Sequence, residues 1–161
     1  MKLLLISPLA IAACATVPAP SATLLWAGTT QEAGGTEVRD TASPTGFSVL
    51  NSERHLLSLS ESIPATVGTS FGAGWVFEGA PNTKRVNYTV RWLFPPKGIT
   101  NPTTGVQRFS TEVQSYCLAE KLCTTSWKLI EQWEAVPGVW RMEVWVGKRL
   151  TLGQNFNLVP Q

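Results

Sequence analysis

From Leu24 onward, apolar and polar residues alternate over short runs, and clusters of Gly, Pro, Asn and Ser separate those runs. A period of two marks a strand with one buried face, whereas a helix would repeat its apolar positions every three to four residues. The clearest run is Val86 to Phe94: Val86, Tyr88, Val90, Trp92 and Phe94 share one face, Asn87, Thr89 and Arg91 the other, and Pro95-Pro96 ends it. The same reading predicts strands over Leu24 to Thr30, Arg54 to Glu61, Thr69 to Glu78, Gln107 to Gln114, Cys123 to Ile130, Trp140 to Val146 and Leu150 to Leu158. In the last pair, Trp140, Met142, Val144 and Val146 alternate with Arg141, Glu143 and Trp145. A turn at Gly147-Lys148 then returns the chain as a hairpin.

About eight short strands with turn residues between them predict an all-β, immunoglobulin-like two-sheet antiparallel sandwich in preference to a closed barrel. Only Leu118 to Leu122 and Leu129 to Ala135 are candidates for a helical turn. Gln31 to Ser52, rich in Gly, Thr and Ser, is the least patterned stretch and is expected to be a long loop. No repeat or second domain is visible, so residues 24–161 are expected to form one domain.

The first residues have a different pattern. Met1-Lys2, the apolar run Leu3 to Ile11 and the small residues Ala12-Ala13 have the layout of a secretory signal over residues 1–13. The run is about half the roughly 20 residues a spanning helix needs, and Pro8 interrupts it. Ile11-Ala12-Ala13-Cys14 resembles the lipobox of bacterial lipoproteins, in which the cysteine is acylated and becomes the mature N-terminus. Ordinary signal-peptidase cleavage at Ala13-Cys14-Ala15 is the alternative. Ala15, where an Asp could stand, resembles the pattern sorted to the outer membrane. The expected location is therefore the cell envelope, with the chain held to a lipid bilayer through acylated Cys14 and facing the periplasm. Soluble periplasmic or secreted protein is the alternative. Residues 14–23 supply the cysteine and then small, uncharged, proline-bearing residues, which read as a flexible tether.

Three segments carry a family resemblance: Ser62-Ile63-Pro64-Ala65-Thr66-Val67-Gly68-Thr69-Ser70-Phe71-Gly72, then Trp92 to Gly105 (WLFPPKGITNPTTG), then Trp133-Glu134-Ala135-Val136-Pro137-Gly138-Val139-Trp140. In this order they resemble a bacterial family catalogued as domain of unknown function 3859, over roughly Leu24 to Val159. The resemblance implies an immunoglobulin-like sandwich of undetermined activity in secreted or envelope proteins, and it transfers no catalytic residue. Read physically, Ile63-Pro64 belongs at an edge strand, where proline's missing N–H costs no ladder bond. Asn101-Pro102 initiates a turn that Gly105 closes, and Pro137-Gly138 turns the chain into the strand at Trp140.

Charge and composition narrow the chemistry. Thirteen Lys and Arg against eleven Asp and Glu give a formal +2. That balance lacks the basic patches that neutralise phosphate backbones, so no nucleic-acid partner is expected. Asp40 is the single aspartate and His55 the single histidine, and no G-x-S-x-G elbow accompanies them, so a Ser-His-Asp arrangement lacks parts. His55 alternates with Leu57 and Leu59 and is expected to be a partly buried structural histidine. No phosphate cradle is present, and no small-molecule cofactor is expected.

Cys117 and Cys123, spaced C-x5-C, are expected to pair as a disulfide in an oxidising envelope. The competing readings are free thiols or a zinc site, which would want about four ligands and shorter spacing. The pair does not belong to the family pattern. Among seven tryptophans, Trp92 and Trp140 fall on core faces, whereas Trp145 shares the wetter face with Arg141 and Glu143. Those three form the candidate binding surface for an envelope protein or glycan. The leading expectation is a non-enzymatic binding or accessory module. The alternatives are a small envelope hydrolase or carbohydrate-active enzyme using Glu131, Glu134 or Glu143, and a purely structural envelope domain.

Overall fold

A computed structural model describes residues 20–41, 43–50, 52–80 and 85–161. The signal peptide, Cys14 and most of the predicted tether lie outside the described residues. The strands, in chain order, are β1 (Ser21–Ala33), β2 (Thr36–Arg39), β3 (Phe47–Leu50), β4 (Glu53–Leu59), β5 (Ser62–Pro64), β6 (Ser70–Glu78) and β7 (Arg85–Leu93). They continue as β8 (Ile99–Thr100), β9 (Gln107–Arg108), β10 (Ser110–Leu118), β11 (Cys123–Lys128), β12 (Gly138–Val146) and β13 (Arg149–Val159), with a 3-10 turn at Gln132–Glu134. One sheet has the order β11-β6-β1-β4, the other β10-β7-β12-β13-β5, and two small ribbons, β2-β3 and β8-β9, complete the set. The expected all-β sandwich is therefore observed, with more strands than the alternation alone predicts.

Each extra strand has a physical reason. The stretch expected as a loop contains the β2–β3 ribbon, and Phe47 on it is 45% exposed, so no buried apolar row marked it. Residues 62–64 pair in parallel with β13 at the sheet edge, the position that Pro64 allows. The strand expected over Gln107 to Gln114 breaks at Phe109 and runs on to Leu118 as an edge strand. No helical turn forms over Leu118 to Leu122; the chain reverses there with Glu120 at φ +60°. β1 begins at Ser21, three residues before the expected boundary, where Ser21 to Thr23 pair with Glu78 to Val76.

The core is aromatic. Phe71 meets Trp92 and Trp140 edge-on at 5.7 Å in each case, and Phe94 lies 4.9 Å from Trp140 between ring centroids. Trp75, Phe77 and Tyr88 continue the stack. Edge-to-face contacts of this kind add roughly 0.5–1.5 kcal/mol each beyond area burial. Tyr88 has its phenol pKa raised by burial, offset in part by a hydrogen bond with Ser115 and by the Arg54 charge.

On the reverse face of the four-stranded sheet, glycines let strands close in: a Cβ on Gly28 or Gly72 would overlap the carbonyl oxygens of Ser58 or Thr125. Edge strands β4 and β11 consequently come into contact, and Arg54 Nε donates to Ser126 Oγ at 2.7 Å while pairing with Glu32 at 3.3 Å.

Strand directions give the sandwich two unlike ends. At the entry pole β1 starts beside the end of β6, Leu118 pairs with Arg85, and the β12–β13 turn closes with Val146 opposite Arg149. Arg149 donates there to the carbonyl of Pro20 at 3.1 Å. At the opposite pole lie the start of β6, the end of β7, the 3-10 turn, the start of β12 and the end of β13.

Candidate functional site

The outer face of the five-stranded sheet brings the three residues of the candidate binding surface together. In register, Glu112 stands opposite Arg91, Arg91 opposite Glu143, and Arg141 opposite Asn155. Glu143 is 8% exposed and fully engaged: Oε1 accepts from Arg141 Nε and Oε2 from Trp145 Nε1, both at 2.9 Å. Arg91 donates to Glu112 at 2.6 Å and lies 5.2 Å from the half-buried Trp145 ring. Arg141 also reaches Asn155 at 3.1 Å. Gly153, opposite Glu143, leaves room for that guanidinium, which a Cβ there would overlap. The face is a closed belt of paired charges with Trp145 lying along it. Such a belt fixes strand register and can meet a partner mainly through the ring of Trp145.

The second candidate is at the pole opposite chain entry, and alternation could not locate it. A recess of about 270 Å³ is lined by Thr41, Pro44, Asn101, Thr104, Arg108 and Trp133, with Ile99 at its base. The expected Asn101 turn forms: Asn101 Oδ1 accepts from the amides of Thr103 and Thr104 at 2.9 and 3.3 Å, and Gly105 closes it at φ +70°. Asn101 Nδ2 donates to the Pro44 carbonyl and Arg108 to the Thr41 carbonyl, both at 3.3 Å, which docks Thr41 and Pro44 against the turn. Trp133 enters from the 3-10 turn. Residues 99 to 105 of the wall and Trp133 belong to two of the three motif segments. The remaining segment meets those two in the core, where Phe71 packs edge-on against Trp92 and Trp140. Its Gly68 N donates to Leu129 O at 2.7 Å while Leu129 N donates to Thr69 O at 2.9 Å, just before the 3-10 turn. The turn was visible in sequence, but its docking on an unpatterned loop 57 residues away left no periodic signal.

Glu134 lies beside this recess and is 1% exposed. Its Oε2 accepts from the amides of Ile130 and Glu131 at 2.9 and 3.0 Å. Burial raises its carboxyl pKa, the two amides offset this in part, and the charge of Glu131 adds to the rise. The side chain is thus committed to its own turn, while Glu131 is exposed. His55 corrects the expectation of partial burial: its side chain is 64% exposed beside Glu53, and Leu57 and Leu59 on the same row are 62% and 71% exposed. β4 is an edge strand whose other row, Arg54 and Leu56, is half-buried. Asp40 accepts instead from Ser48, so His55 and Asp40 serve different neighbours.

Cys117 and Cys123 are bonded, with Cα atoms 6.0 Å apart, and they join β10 of one sheet to β11 of the other. Among the described residues no group of three or more His, Cys, Asp or Glu could hold a metal ion.

The sequence profile of the family described as "Domain of unknown function (DUF3859)" matches residues 30–158. The chain belongs to the DUF3859 family. A solved immunoglobulin-like protein from Pseudomonas aeruginosa is similar to it, with TM-score 0.56 and 25% identity over 65% of this chain and 83% of that one. A comparison with curated protein sequences returns no match. For this DUF3859 chain the comparisons thus agree with the sandwich.

Proposed function

We propose that this chain is a non-catalytic, immunoglobulin-like module of the cell envelope, anchored through acylated Cys14. In this reading it presents the pole opposite its entry point to an envelope protein or glycan in the periplasm. The observation that carries the reading is the polarity of the sandwich: the chain enters at one end, and two of the three motif segments contribute to a recess at the other. Of the three carboxylates in the hydrolase alternative, Glu134 is committed to its turn and Glu143 to the charge belt, which leaves the exposed Glu131.

A photo-crosslinking residue placed at Thr104 in intact cells is expected to trap a specific partner, whereas one at the exposed Gln114 on β10 is not. No adduct from Thr104, together with loss of envelope integrity on deletion, would favour the purely structural domain instead.

A further inference from the structure

We propose that the entry pole rests on a bilayer surface carrying anionic headgroups, so that the domain lies against the membrane and the recess points away from it. The proposal rests on the reading of Cys14 as an anchor. Five residues lie between Cys14 and Pro20, and the six steps at about 3.1 Å each span roughly 20 Å when extended. Pro20 is held at this pole by Arg149, so an anchored chain keeps the pole close to the surface.

Two features of the pole suit that surface. Arg85, Lys121, Lys148 and Arg149 gather there against Glu78 and Glu120, and all six are exposed. Cationic side chains near an anionic leaflet each strengthen binding about fivefold at moderate ionic strength. The β10–β11 turn adds apolar area: Leu118 is 46% and Leu122 53% exposed. The turn is held in place by the Cys117–Cys123 bond, by Ala119 buried beneath it and by Glu120 N donating to Phe77 O at 3.1 Å. Leucines on a fixed tip flanked by lysine can enter the headgroup layer without ordering a loop first.

The test uses the mature protein recovered from its own host. Mass spectrometry first reads acylation, which judges the anchor separately. The protein is then bound to vesicles of phosphatidylcholine alone or mixed with phosphatidylglycerol, and amide hydrogen exchange is measured. The expected result is slowed exchange at residues 118–122 and 147–150 only with phosphatidylglycerol. In the Lys121→Glu, Lys148→Glu double variant that protection is expected to fall by an order of magnitude or more, with core strand exchange unchanged. If the protein proves not to be acylated, flotation with the anionic vesicles reads the pole by itself. Equal exchange in both vesicle types, or protection at residues 99–108 in place of the entry pole, would overturn the proposal.

Discussion

Glu134 sets a residue-scale test because its environment pulls in two directions. Burial favours the protonated form, while two amides hold the carboxylate. A folded-state pKa above the ordinary 4.5 means the group's contribution to stability is fully present below that value and is lost as pH rises through the raised one. Glu134→Gln keeps an acceptor for both amides and removes the ionisation. Its melting temperature relative to the parent is therefore expected to rise as pH increases from about 4.5. Glu134→Ala leaves two part-buried N–H groups without their acceptor and is expected to cost about 1–3 kcal/mol, read from urea midpoints at fixed pH. Glu143→Ala is expected to cost about 1–2 kcal/mol, since it strips Trp145 Nε1 and Arg141 of their shared acceptor. A larger loss in Glu143→Ala than in Glu134→Ala would reverse this ranking of the two carboxylates. Sequence placed Trp145, Arg141 and Glu143 on one face because strand parity alone decides that. Parity misled at His55, where the half-buried row of an edge strand is the more polar one, with Arg54 meeting Glu32 and Ser126.

At the scale of elements, strands with an alternating apolar row were legible, including β4 with its exposed Leu57 and Leu59, and those without one were not. β6, β7, β12 and β13 lie within about two residues of their predicted bounds, whereas β2 and β3 hold each other by main-chain bonds with little buried behind them. The glycines of β6 carried the least readable message. Gly72 admits the backbone of β11, since a Cβ there would overlap the Thr125 carbonyl oxygen. Gly72→Ala, small as it is, is expected to cost about 1–3 kcal/mol or more, because a strand backbone must move rather than a side chain. Denaturant unfolding checks this; a cost below about 0.5 kcal/mol would mean the strands separate easily. The Cys117–Cys123 bond closes a short loop, so replacing both with Ser is expected to cost about 2 kcal/mol in the chain-entropy account and to leave the cooperative transition intact.

For the whole molecule, the address at the N-terminus and the polarity of the sandwich make one joint prediction. An acyl anchor at Cys14 can orient the domain only if the tether enters the fold at a fixed place, and β1 provides that place by pairing from Ser21 onward with the end of β6. The polarity was not legible in sequence, since it depends on which ends of eight separately predicted strands lie side by side. The intact mass of the protein from its own host is expected to correspond to a chain beginning at Cys14 plus acyl chains. Reduction is expected to add two hydrogens at Cys117 and Cys123, and Cys14→Ala to abolish the acyl increment. A mass that includes Met1, with both thiols already free, would place the chain in a reducing compartment, where neither the anchor nor the bridge between sheets could form. Acyl chains on Cys14 would instead hold the entry pole within about 20 Å of the bilayer, and the pattern of slowed amide exchange then reads which way the recess faces.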